Sequence, residues 1–155
     1  MICTKNRMRL CLCLLIANLA FIWGNSLLPA EASKAFSDWV HGLLSQVLSG
    51  GSGGGTGGSG LLRKLAHFAE FCALGVLLGW LFGMLRRGTL RPFLWGVAVA
   101  CADEALQFLA PQRGPGIRDV CIDAAGVAAG ILLLLFGHSL WKKVNSSIQS
   151  GGTTK

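Results

Sequence analysis

The chain has 155 residues, of which 52% are hydrophobic and only 14% charged, with a formal net charge of +7. A soluble domain needs a polar shell and carries roughly 25% charged residues, so this composition excludes an ordinary soluble enzyme. The basic excess is no nucleic-acid footprint either, because Lys and Arg stand in short clusters beside apolar runs rather than along one soluble face, and no nucleic-acid partner is expected.

Residues 1–9 form a basic N-terminus with Lys5, Arg7 and Arg9, and an apolar run follows from Leu10 to Leu28. A bilayer core about 30 Å thick takes roughly 20 helical residues. Four runs approach that length: 10–28, 66–85, 92–110 and 120–137. None alternates as a strand would, so all four read as helices. The expected fold is all-α: an integral membrane bundle of four transmembrane helices with an outer amphipathic segment, in one membrane domain over 10–137 and a tail over 138–155. The basic start, the apolar run and Ala30-Glu31-Ala32 also resemble a cleavable signal peptide. Against that, the run is longer than a signal core of about 7 to 15 residues, and cleavage would leave three spans with unchanged sidedness.

After span one, Phe36, Val40, Leu43, Leu44 and Val47 share one helical face in segment 33–48, with Ser33 placed as N-cap and Trp39 as an interfacial anchor. Residues 49–60 are a Gly/Ser/Thr tract that reads as a flexible tether reaching on the order of 20 Å. Cys11, Cys13, Cys72 and Cys101 lie in apolar runs and act as small hydrophobes, so the six cysteines do not suggest a disulfide framework.

Lys and Arg in the flanks prefer the cytoplasmic side. Lys5, Arg7, Arg9, Arg86, Arg87, Arg91, Lys142, Lys143 and Lys155 fall on one side of four alternating spans; Lys34, Arg63, Lys64, Arg113 and Arg118 fall on the other. Both termini are therefore expected to be cytoplasmic, in a multi-pass cell-membrane protein. Trp95 and Trp141 then sit near the cytoplasmic ends of spans three and four.

The acids are scarce and grouped. Span two opens with Arg63, Lys64, His67 and Glu70; span three closes with Asp103, Glu104 and Gln107, then Arg113; span four opens with Arg118, Asp119 and Asp123. All three groups fall at the outer end, with Glu70, Glu104 and Asp123 about 6 to 9 Å inside it at about 1.5 Å per residue. An ionised side chain in a membrane helix costs roughly 2.5 to 3.5 kcal/mol, so the grouping points to a role. His67 and Glu70 are one turn apart, a spacing at which a carboxylate can orient an imidazole. His67, Glu70 and Glu104 are the acid/base candidates. Arg63, Lys64, Asp103, Gln107, Arg113, Arg118, Asp119 and Asp123 are candidate substrate-binding residues. Asp103, Glu104, Asp119 and Asp123 offer oxygen ligands of the kind hard cations use, but no compact metal motif is present and no cofactor is expected. The bland alternative is a salt-bridge cluster that fixes helix register. Glycines at 75, 79, 83 and at 126, 130 recur every four residues, as in closely packed membrane helices.

The string Arg63-Lys64-Leu65-Ala66-His67-Phe68-Ala69-Glu70-Phe71, Gly75, Asp103-Glu104-Ala105-Leu106-Gln107, Arg113, Asp119-Val120, Asp123 and Gly126 resemble the VanZ family, as does Asn25-Ser26-Leu27-Leu28-Pro29 after span one. The resemblance runs from about Leu10 to Gly137. The fourth-span motif usually has Asn where this chain has Asp123, and the glycine tract is foreign to the pattern. The resemblance implies a small multi-pass membrane protein associated with resistance to the glycopeptide teicoplanin, and supplies no reaction.

Three classes follow: an enzyme on an envelope lipid or lipid-linked precursor, a proton-coupled transporter, and a non-catalytic binder or scaffold. The expected partners are membrane lipids or an envelope precursor. A homo-oligomer is a further expectation, since four spans are few for alternating access.

Overall fold

The computed structural model describes residues 2–29, 31–32, 34–35, 38–39, 59–110 and 116–151. Four long helices carry the architecture: α1 (Ile2–Leu27), α2 (Ser59–Met84), α3 (Leu90–Gln107) and α4 (Ile117–Gly151). No strand occurs among the described residues. Positions 31–32, 34–35 and 38–39 are helical. The rest of the expected surface segment, its N-cap Ser33 included, and the tract up to residue 58 lie outside the described residues. Ser59 and Gly60, read from sequence as the end of the tether, already belong to α2.

Long-range contacts set the helix directions. Cys11 near the start of α1 donates to the Leu77 carbonyl late in α2, whereas Asn25 at the end of α1 reaches Glu70 early in α2. These two helices are therefore antiparallel. Gly126 faces Phe68 and Gly130 faces Cys72, so α4 runs parallel to α2, while Gly96 of α3 meets Val127 and Glu104 meets Gly116, so α3 opposes α4. The four helices thus alternate in direction, reversing three times. The end of α1, the start of α2, the end of α3 and the start of α4 share one end of the bundle. Lys5, Arg7, Arg9, Arg86, Arg87, Arg91, Lys142 and Lys143 belong to the opposite half.

Three helices are long and apolar enough to cross a membrane: Lys5–Leu27, Arg63–Met84 and Ile117–Ser147. The fourth expected span is shorter. It ends at Gln107, with Phe108 to Ala110 in a turn, and its 18 residues include Arg91, Asp103 and Glu104, which lower its apolar character. Its buried residues Ala100, Asp103, Glu104 and Gln107 are covered by protein, so its two acids do not face lipid, while Arg91 at its start is exposed. Pro92 lies in its first turn, where a missing N–H breaks no helical bond.

Ile22, Phe71, Leu74, Leu78, Ala100, Val127 and Ile131 make the core. Many large apolar side chains face outward instead, among them Leu10, Ile16, Leu94, Leu132 and Phe136. That distribution suits acyl chains as solvent, since inside a bilayer only backbone groups must be satisfied within the helix. Between α2 and α4 the packing is backbone to backbone. A Cβ on Gly75 would strike the Val127 carbonyl, and one on Gly130 would strike the Cys72 carbonyl and the Val76 nitrogen. The repeating glycines are thus the seam along which α2 and α4 touch.

The turn from α2 to α3 carries a strain. Arg87 N–H donates to the Phe82 carbonyl and Arg86 N–H to the Gly83 carbonyl, a double bond pattern that closes the helix with a left-handed residue. Glycine normally fills that position, but here Arg86 holds φ at 53°. A side chain there costs about 1 kcal/mol. Arg86→Gly is therefore expected to raise the unfolding midpoint in detergent, by up to about 1 kcal/mol in stability, read by far-UV circular dichroism against SDS mole fraction.

Candidate functional site

The polar residues at the shared end of the bundle come from all four helices. Asp103 and Asp123 are fully buried, with Glu104 and Gln107 nearly so, and Ser26 joins them from α1. Ser26 Oγ donates to Asp103 Oδ2 at 2.7 Å, and Asn25 Nδ2 donates to Glu70 Oε1 at 3.0 Å. Across the bundle, His67 Nδ1 stands 3.7 Å from Asp123 Oδ1. His67 thus faces a carboxylate on α4, whereas the spacing had suggested the same-face Glu70.

Glu104 has a different task. Its Oε1 accepts from Gln107 Nε2 at 3.0 Å and its Oε2 from the Gly116 N–H at 2.8 Å. Gly116 immediately precedes α4, so this carboxylate pins the start of α4 to the end of α3. Both of its oxygens are engaged, which suits an anchor better than a proton acceptor.

Several buried oxygens have no such partner. Neither carboxylate oxygen of Asp123 has a hydrogen bond among the described residues, and Glu70 Oε2 has none. Two unbonded oxygens on a fully buried carboxylate are an expensive arrangement, because a buried group without its hydrogen bonds keeps its full desolvation cost.

Three of the basic candidates lie at the surface of this end. Arg63, Lys64 and Arg118 are exposed, and none forms an ion pair among the described residues. Long basic side chains readily extend their heads toward water. Arg113 lies outside the described residues. A salt-bridge cluster made with Arg63, Lys64 or Arg118 is therefore not what the bundle contains.

A recess opens at this end between α2, α3 and α4. Arg63, Lys64, His67, Gln107, Asp119, Ile122 and Asp123 line it, placing basic side chains beside an acidic floor. Asp103 lies behind that floor, and His67, Asp103 and Asp123 each bring a donor atom within 4.8 Å of the others.

Two members of this cluster, Asn25 and Ser26, were not singled out as site residues on sequence grounds. The signal was present: a polar pair at the end of an otherwise apolar run, at the depth of Glu70 and Asp103.

The family model described as VanZ/LLP1 matches residues 9–140, most of the chain and every helix of the bundle. The chain belongs to the VanZ/LLP1 family. The match agrees with the resemblance drawn from the motif strings, and with three helices able to cross a membrane it makes the chain a VanZ/LLP1 membrane protein. No curated protein and no solved structure matches the chain.

Proposed function

We propose that this VanZ/LLP1 protein binds the anionic head group of an envelope lipid or lipid-linked precursor in the recess between α2, α3 and α4. The recess sits on the outer side of the cytoplasmic membrane, with both termini inside, and the activity contributes to protection against teicoplanin-type glycopeptides. The observation that carries the reading is the recess itself: Arg63 and Lys64 beside His67, Gln107, Asp119 and Asp123, at one end of a membrane bundle. Arg and Lys recognise phosphate and carboxylate oxygens by charge-assisted hydrogen bonds, and Arg63 and Lys64 are not spent on internal ion pairs among the described residues. The outward placement follows from the basic clusters at the opposite end of the bundle, which favour the cytoplasm. Arg113 and Arg118 are further candidates for head-group contact. If chemistry follows binding, His67 and Glu70 are its acid/base candidates, and Glu104 serves by positioning α4.

The test is mass spectrometry of lipids retained by the protein purified in mild detergent. The Arg63→Ala/Lys64→Ala double variant is expected to retain several-fold less phosphorylated lipid than wild type, while a Lys142→Ala/Lys143→Ala control at the far end retains the wild-type amount. Equal retention in the two double variants overturns the reading.

A further inference from the structure

Three acids are buried together near one end of the bundle: Asp103, Glu104 and Asp123. Glu70 lies beside them, and Arg63, Lys64 and Arg118 form no ion pair with Glu70 or Asp123 among the described residues. A low-dielectric interior holds ionised groups only when they are paired or ligate a metal. Glu70 and Glu104 receive hydrogen bonds from Asn25, Gln107 and Gly116. Asp123 receives none on either oxygen, though it is fully buried and faces His67 across the helix seam.

We infer that His67, Asp103 and Asp123 form a binding site for one divalent first-row transition cation. Their donor atoms all lie within 4.8 Å of one another, and the His67 to Asp123 pair is at 3.7 Å. Ligands about 2.1 Å from a common ion stand roughly 3 to 4 Å apart, so a shift of about an ångström or less per side chain closes the set. One imidazole with two carboxylates suits manganese or zinc better than magnesium or calcium, which prefer oxygen alone. Charge fits as well: two aspartates and one divalent ion sum to zero.

The surroundings are those of a metal site. Ser26 Oγ donates to Asp103 Oδ2 at 2.7 Å, which fixes the carboxylate's orientation as outer partners of metal ligands do. His67 and Asp123 line the recess, which gives an ion a path from the bundle end. Three protein ligands leave further coordination positions for water or an anionic oxygen. The inference does not depend on which lipid occupies the recess.

Manganese is the better probe, because the exposed thiols of Cys13, Cys101 and Cys121 would compete for zinc. The full chain, purified in detergent and stripped with chelator, is titrated with Mn2+ alone and followed by electron paramagnetic resonance. One ion per chain is expected. Asp123→Asn and His67→Gln should each weaken binding about ten-fold or more, with helical content and gel-filtration profile unchanged. Pulsed measurements on the wild-type complex should show coupling from an imidazole nitrogen, a readout that needs no variant. Failure to bind one ion, undiminished affinity in both folded variants, or a bound ion without nitrogen coupling overturns the site.

Discussion

Gly130→Leu is expected to abolish the folded bundle, and Gly130→Ala to destabilise it by about 3 kcal/mol or more. A Cβ at this position meets the Cys72 carbonyl and the Val76 nitrogen, which are backbone atoms of α2 and cannot rotate aside. Relief requires α2 and α4 to separate along the length of their contact, and Gly75 against Val127 on the same seam would lose its packing too. Gly75→Ala should therefore be similarly damaging. Gly83→Ala and Gly137→Ala make the contrast, because nothing lies within 4 Å of a Cβ at either position. There the gain in helix propensity, up to about 1 kcal/mol, should dominate. Unfolding midpoints in mixed micelles separate the two groups by sign. A Gly130→Ala protein as stable as wild type would contradict a backbone-to-backbone seam.

The second large effect is expected at Glu104. Glu104→Ala removes the acceptor for both the Gly116 N–H and Gln107 Nε2. A buried donor left without a partner costs about 1 to 3 kcal/mol, so the loss should fall in or above that range. Its consequence is local as well as global. With Gly116 released, the first two turns of α4, which carry Asp119, Ile122 and Asp123 to the recess, lose their tie to α3. Hydrogen exchange should accelerate most between 116 and 123, well before the middle of α4 changes. Retained lipid should fall in the same variant although Glu104 does not line the recess. Glu104→Gln keeps one acceptor oxygen and should recover part of the stability. Uniform acceleration along α4 would show that Glu104 acts on the bundle as a whole.

Depth was legible in the sequence; lateral pairing was not. Counting residues from the ends of the apolar runs places Glu70, Glu104 and Asp123 at one level, since helical rise is nearly constant. Which side chain meets which depends on the rotation of each helix about its axis. So Asn25 and Ser26 emerged as partners of Glu70 and Asp103 only in three dimensions. The alternative of a salt-bridge cluster turned on the same unknown, and Arg63, Lys64 and Arg118 are exposed, with flexible stems that carry their heads outward.

Apolar length located all four helices but not their bounds. α4 runs 35 residues where the apolar run suggested 120–137, because a helix continues into polar sequence as long as its backbone bonds are undisturbed. At about 1.5 Å per residue it is on the order of 50 Å long and outreaches a bilayer core of about 30 Å. Residues 138–147 continue it into more polar sequence and are exposed throughout. Conversely α3 was overextended by three residues, since Phe108, Leu109 and Ala110 are apolar yet form the turn that carries the chain off the helix.

The glycine seam also governs traffic. Where the backbones of α2 and α4 touch at Gly75, Gly126 and Gly130, no fatty tail can slip between them. Arg63 and Lys64 belong to the lining of the recess at the bundle end. A lipid visiting it would dip its head group in from the membrane surface and keep its tails in the surrounding leaflet. Arrival and departure would then need no parting of α2 from α4.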